Sequence, residues 1–444
     1  MQTFCRLLVN SVVATFTNMF VWFAVTFWLY LQTRSVLATS VLSGVYLGTT
    51  ALSGFLLGSL VDRFKKQRVM LASSVGSLSC YALSGLVFAV APDTAFSTPS
   101  SPILWVFVLM ALFGTLAGNV RGIVLSTLVT ILVPEDRRDR ANGLVGSATG
   151  LAFFFTSILS GLAIGFLGMG WTLVIAVGLT LAVIAQLLTV RFAETSPTQT
   201  TGTPQHRVDI GGTIAAIRLV PGLFGLIFFN TFNNFLGGIF LSLMDPYGLS
   251  LVSVQVWGLL WGFLSLGFIV GGAIVARWGL GRNPLRSLFL ANIVLWIICT
   301  VFTIQASIIL LTVGMFIYLC LIPIIEASEQ TILQRLITLE RQGRVFGFAQ
   351  SVEQAASPIT AFIIGPIAQF IFIPFMTTGA GPELLGPWYG SGPDRGMALL
   401  FSLTGVIGLI VTLLALRSRA FATLSSQYTQ RATLNREAEA LAQG

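Results

Sequence analysis

The sequence predicts an all-α membrane protein, with twelve transmembrane helices in two pseudo-symmetric six-helix bundles. Three observations predict it. Apolar residues fill 55% of 444 positions and charged ones only 9%, where a water-soluble domain carries about 25% charged residues. Lys and Arg alternate between successive loops. Two loop motifs recur at equivalent places in the two halves of the chain.

With so little polar surface, lipid is the main solvent, and a chain in lipid satisfies its own backbone groups as helix. A span needs about 20 apolar residues. Runs of that kind fall at 7–31, 36–60, 69–91, 103–132, 142–168 and 171–191, then at 220–243, 252–276, 287–305, 307–334, 345–374 and 396–416. The first run is too long for a secretory signal and lacks a small-residue cleavage site, so it is the first span. Between spans six and seven, Ala193–Val208 is rich in Thr, Pro, Gln and Gly with no apolar period, which reads as a flexible linker. The expected organisation is a bundle over 1–192, a linker over 193–219, a second bundle over 220–417 and a polar tail over 418–444 with a short helix through Leu434–Leu441.

One set of loops carries Arg63, Lys65, Lys66 and Arg68, then Arg137, Arg138 and Arg140, then Arg191, Arg207 and Arg218. It continues with Arg277, Arg282 and Arg286, with Arg335, Arg341 and Arg344, and with four arginines of the tail. The opposite set holds Arg34 and Arg395. By the positive-inside rule both termini are cytoplasmic and the span count is even. The net charge of +8 therefore reports membrane orientation and not nucleic-acid binding. Cys5, Cys80, Cys299 and Cys320 lie far apart, and His206 is the one histidine, so neither a disulfide framework nor a metal cluster is expected. No cofactor is expected. No P-loop and no nucleophile–base pair is present, which argues against ATP drive and against an enzyme.

The repeat supports duplication. Gly58-Ser59-Leu60-Val61-Asp62-Arg63 follows span two, and Gly272-Ala273-Ile274-Val275-Ala276-Arg277 follows span eight. Asp136-Arg137, Arg140 and Gly143 follow span four, and Glu340-Arg341, Arg344 and Gly347 follow span ten. Parallel repeats place a substrate site between the halves. On these residues the chain resembles the major facilitator superfamily, whose loop after span two carries a Gly, then Asp-Arg, then a basic cluster, here Gly58, Asp62, Arg63, Lys65, Lys66 and Arg68. Lys65 stands where that family usually has Gly, and Ala276 takes the acidic position in the second copy. Gly343-Arg344-Val345-Phe346 resembles the branch of bacterial drug, macrolide and siderophore exporters, while Thr156–Gly161 lacks the Gly-Pro of their fifth span. The resemblance implies a conformational gate at Gly58, Asp62, Arg63 and Arg277; anchoring of Lys65, Lys66 and Arg68 to anionic headgroups is the plainer reading of those three.

Four ionisable residues fall inside apolar spans: Arg121 in span four, Glu326 and Glu329 in span ten, and Glu353 in span eleven. A charge at mid-bilayer costs about 2.5–3.5 kcal/mol even on the lenient scale, so each should face a partner or a wet cavity. The offset relating Asp136-Arg137 to Glu340-Arg341 carries Arg121 to Ile325, beside Glu326, which makes these two the expected proton-coupling pair. Static packing is the competing reading, and the preferred one for Glu329 and Glu353. Asn18 and Trp22 in span one, Asn230, Asn233 and Asn234 in span seven, and Gln330 in span ten are the expected substrate-cavity residues, against interhelical hydrogen bonding worth about 0.6 kcal/mol each.

These readings converge on a monomeric secondary transporter in a bacterial-type plasma membrane. It would export a small amphipathic or apolar organic compound by alternating access, with protons and membrane lipids as its other partners. A lipid or lysolipid flippase on the same fold and a non-transporting membrane sensor are the alternatives.

Overall fold

The computed structural model describes residues 2–132, 138–190, 214, 217–281, 283–337, 339–428 and 430. Most of the 193–219 linker, His206, the Asp136-Arg137 motif and the Leu434–Leu441 segment lie outside the described residues, as do the side chains of 52–63 and 126–150. Among the described residues the chain is helical, with no strand. The long helices are α1 (Gln2–Thr33), α2 (Val36–Arg63), α3 (Lys66–Val90), α4 (Pro102–Leu132), α5 (Arg138–Phe166) and α6 (Gly168–Thr189), followed by α7 (Leu223–Leu251), α8 (Val254–Trp278), α9 (Pro284–Val301), α10 (Ile308–Leu336), α11 (Leu339–Ile367) and α12 (Pro393–Leu416). Among the described residues nine of these hold a continuous span-length apolar stretch and three hold a shorter one, at Val36–Ala51, Pro102–Gly118 and Leu151–Phe166. Each predicted run thus corresponds to one helix.

The chain divides into two compact units, Met1–Thr201 with Leu243–Ser265, and Gly202–Ser242 with Leu266–Gly444. In the first unit α3 binds α4 through serines. Ser73, Ser77 and Ser84 donate their hydroxyls to the carbonyls of Ala117 (2.7 Å), Gly114 (2.7 Å) and Phe107 (3.1 Å). Lipid offers no hydrophobic drive between helices, so such polar contacts and small-residue packing supply the adhesion. At the end away from the basic loops, Trp28 packs edge-on against Phe88, Phe96 and Phe107, 5.0–5.8 Å between rings. Gly258 and Gly262, one turn apart on α8, bring that helix against α5 at Gly161 and Ile158.

In the second unit α8 presents Gly267 and Gly271 to Leu319 and Cys320 of α10, while α12 presents Gly405 and Gly408 to Thr300 and Trp296 of α9. Phe240 of α7 is packed among Trp296, Phe302, Tyr318 and Phe401 at 5.0–6.3 Å. Helix α9 begins sharply because the Asn283 side chain accepts from the amides of Leu285 and Arg286, with Pro284 in the first turn. Helix α11 contains Pro358 and Pro366, passes through a π-helical turn at Ala368–Phe372 and ends at Thr377. π turns concentrate at functional sites.

Part of the tail is docked. Residues 419–428 form a helix whose Phe421 meets Phe289 edge-on at 5.1 Å and whose Leu424 is buried. Asn283 donates to the Ser425 hydroxyl at 2.9 Å, and the Arg335 guanidinium lies over the Tyr428 ring at 5.3 Å. Gly222 has φ +89°, and a Cβ there would stand 2.5 Å from the Ala420 carbonyl, so both backbone and space require glycine. In the loop between α11 and α12, the helix Gly381–Tyr389 leaves Leu384 and Trp388 exposed, consistent with an interfacial anchor. Arg395 is buried and bonds Asp394 at 2.7 Å.

Candidate functional site

The intramembrane carboxyl groups belong to the second unit. On α10, Glu326, Glu329 and Gln330 follow the i, i+3, i+4 spacing, and the helix turns Glu326 and Gln330 outward while Glu329 is half-buried. Glu353 of α11 is 8% exposed. Glu329, Glu353 and Asn230 of α7 stand within electrostatic reach of one another. Two carboxylates brought this close in a medium of low dielectric disfavour double ionisation. Oε1 of Glu353 and Nδ2 of Asn230 make no hydrogen bond of normal geometry. The cluster therefore brings two carboxyls and one amide together with spare capacity. Sequence reasoning favoured Glu326 for proton exchange and static packing for Glu329 and Glu353; in the structure Glu326 is exposed, while Glu329 and Glu353 lie together with Asn230.

The other amides of α7 separate by role. Asn233 accepts from the Trp296 indole at 2.8 Å and donates to the Phe229 carbonyl at 2.7 Å, which fixes α7 to α9. Asn234 is exposed, donates to the Asn230 carbonyl at 3.1 Å, and takes a hydrogen bond on its own carbonyl from Ser357 of α11 at 3.1 Å. Glu326, Gln330 and Gln334 form an outward stripe on α10, and Gln350 and Gln354 are outward on α11. A polar stripe on a spanning helix is costly against lipid and suits a wet cavity.

In the first unit, Arg121 is 1% exposed. The repeat offset gave it Glu326 as partner. Instead its Nη1 donates to Asn10 Oδ1 of α1 at 2.6 Å, and its Nη2 donates to Ser74 Oγ and to the Met70 carbonyl of α3. Asn10 in turn donates to the Val183 carbonyl at 2.8 Å and to Gln186 of α6. Arg121 thus ties four helices of its own unit together. Asn18 is also buried there. It accepts from the Tyr81 hydroxyl at 2.8 Å and lies directly on Gly118, where any Cβ would collide with it. Trp22 is half-buried and stacks on Tyr46 of α2 with 4.0 Å between rings.

Of the expected gate, Gly58, Asp62 and Arg63 occupy the last turns of α2, but their side chains lie outside the described residues. Arg277 is exposed in the last turn of α8 with its guanidinium 5.6 Å from the Trp278 ring.

One ionisable residue escaped the sequence reading. Helix α7 continues through Asp245-Pro246 to Leu251, so Asp245 belongs to a span. Its Oδ1 accepts two indole N–H bonds, from Trp257 at 3.0 Å and Trp261 at 2.9 Å. The two tryptophans stand one turn apart on α8, and Trp261 also meets Phe23 of α1 at 6.3 Å. The sequence signal was a Trp-x-x-x-Trp pair on the span following Asp-Pro.

A helical membrane protein with charges drawn inward is still only a class. The family model for the Major Facilitator Superfamily matches residues 7–361. The chain belongs to the major facilitator superfamily. Among curated proteins none matches. Solved major facilitator structures share the fold over nearly the whole chain. The nucleoside transporter NupG is 13% identical with a TM-score of 0.68, covering 93% of this chain and 100% of its own. A bacterial homologue of the human lysosomal transporter Spinster is 14% identical with a TM-score of 0.64, covering 96% and 98%. The peptide transporter POT in complex with alafosfalin is 14% identical with a TM-score of 0.65, covering 96% and 95%. This major facilitator protein is accordingly a multi-pass membrane transporter and not an enzyme, on a twelve-helix fold.

Proposed function

We propose that this transporter is a proton-coupled exporter of a small amphipathic or apolar organic compound, working by alternating access, with the Glu329–Glu353–Asn230 cluster as its proton site. One observation carries the reading: two carboxyl groups on neighbouring apolar spans stand within electrostatic reach of each other, next to an amide with an unused donor. Such a pair holds one proton when closed and releases or gains one when the helices bearing it separate. Moving one proton down 100 mV supplies about 2.3 kcal/mol. The outward stripe of Glu326, Gln330, Asn234 and Gln354 supplies uncharged hydrogen-bonding groups and one carboxylate for cargo.

Export, and not uptake, rests on the resemblance of Gly343-Arg344-Val345-Phe346 to the exporter branch. The basic loops support cytoplasmic termini in a bacterial-type plasma membrane. Flux of an amphipathic-compound panel in proteoliposomes, with and without an imposed proton gradient, tests the proposal. Gradient-dependent movement of at least one compound is expected. Translocation of labelled phospholipid with no response to the panel would favour a flippase, and binding without any flux a sensor.

A further inference from the structure

We propose that the first unit contains a binding site for a small monovalent anion of chloride size, built from Arg121 and Asn18. The inference is independent of which ion drives transport.

The starting point is an unbalanced charge. Arg121 is 1% exposed, its partners are an amide, a hydroxyl and a carbonyl, and no charged side chain stands beside it among the described residues. Neutral partners satisfy N–H groups but do not cancel a charge in a medium of low dielectric. A lysine or a carboxyl in this position would shed its charge. An arginine does not, because its guanidinium stays protonated in proteins. Among the described residues none supplies a counter-charge.

The second observation is a space for it. Arg121 borders a cavity of about 10 Å³ together with Asn18, Ser74, Ser77 and Thr180, room for about one water or one halide and too small for an organic cargo. Two donors remain unspent at its wall. Among the described residues Nε of Arg121 has no acceptor, and Asn18, whose Oδ1 is held by Tyr81, has no acceptor for Nδ2. Asn18 is 8% exposed. The Ser77 and Thr180 hydroxyls now donate to the carbonyls of Gly114 and Ala176, and hydroxyl protons rotate to suit an occupant. Tyr81 fixes which end of the Asn18 amide faces the cavity, and Gly118 lets the amide lie flat on α4. A site of one guanidinium and one amide donor, with no carboxylate, selects a small anion over a cation. It does not select a water over an anion, and only the anion removes the charge imbalance.

Occupancy would tie α1, α3, α4 and α6 into one body, since Arg121 and its neighbours reach all four. An anion that binds only the folded state raises its stability by mass action. The test is thermal unfolding of the purified protein in detergent, with chloride replaced by gluconate at constant ionic strength. A saturable rise of the midpoint with chloride, a similar rise with bromide, and an anomalous bromide peak between Arg121 and Asn18 in a soaked crystal are expected. Asn18→Asp places a carboxylate beside Arg121 in the same shape. It should be at least as stable without chloride as the wild type is with it, and its midpoint should not respond to halide. A wild-type midpoint indifferent to halide at fixed ionic strength, a water alone at the site in the bromide crystal, or an undiminished halide response in Asn18→Asp would overturn the proposal.

Discussion

Replacing Gly161 by alanine should separate α5 from α8 at their tightest point. A Cβ on Gly161 would stand 2.6 Å from the Val254 carbonyl and 2.9 Å from Gly258 Cα. Both are backbone atoms, so no side-chain rotation relieves the clash, and α8 must withdraw by about 0.8 Å to reach the 3.4 Å of an ordinary contact. Overpacking of this kind costs about 1–3 kcal/mol, while alanine returns about 1 kcal/mol over glycine in helix propensity. Gly178 of α6 supplies the control, because a Cβ there meets nothing within 4 Å and only the propensity gain applies. The two variants should therefore differ by about 1–3 kcal/mol, on the order of several degrees in unfolding midpoint. Thermal unfolding in one detergent, with Gly258→Ala as the reciprocal variant, measures it. If Gly161→Ala and Gly258→Ala are as stable as Gly178→Ala, the close approach of α5 and α8 is absent from the folded protein and the reasoning fails.

Three further outcomes are expected. Asp245→Ala strands the indole N–H of buried Trp257 and of half-buried Trp261 and should cost about 1–3 kcal/mol for the buried donor left unpaired, whereas Asp245→Asn keeps an acceptor oxygen and should lose much less; thermal midpoints distinguish them. Leu424→Ala, in the docked tail helix, should destabilise by about 2–5 kcal/mol, and limited proteolysis should then cut the tail first. Burial pushes the Tyr428 phenol above its ordinary 10.0, with the Arg335 guanidinium pulling against it. A raised value means that the folded state favours the neutral phenol. This contribution is intact below the unfolded value and lost as pH rises through the folded one. Stability should therefore decline faster with alkaline pH in the wild type than in Tyr428→Phe, as denaturant titrations at stepped pH would show.

The architecture was legible because lipid imposes few rules and the sequence obeys them openly. Apolar runs of span length and alternating basic loops marked all twelve helices. Boundaries failed where tertiary partners replaced water. Asp245-Pro246 reads as a loop, yet two indoles host the carboxylate and α7 runs on to Leu251. The tail reads only as polar, with a helix at Leu434–Leu441, yet Phe421 and Leu424 dock residues 419–428 onto α7 and α9. The site was legible as a set of residues but not as a geometry. Helical spacing put Glu329 on a face with Glu326 without revealing that Glu353 would meet it across two helices. Asn18 was read as a substrate contact and Arg121 as part of a coupling pair. The sequence did not show that Tyr81 and Asn10 would draw them into the first unit's interior, because that depends on α3, α4 and α6 neighbours far away in the chain.

Whether the Glu329–Glu353 pair takes up and releases a proton during transport decides the central claim. In proteoliposomes loaded with a pH-sensitive dye and given a transported compound, the native protein should shift internal pH as cargo crosses. Glu353→Gln should carry cargo down its own gradient with the pH signal abolished. A pH signal of native size in both Glu353→Gln and Glu329→Gln would mean that the protons travel elsewhere.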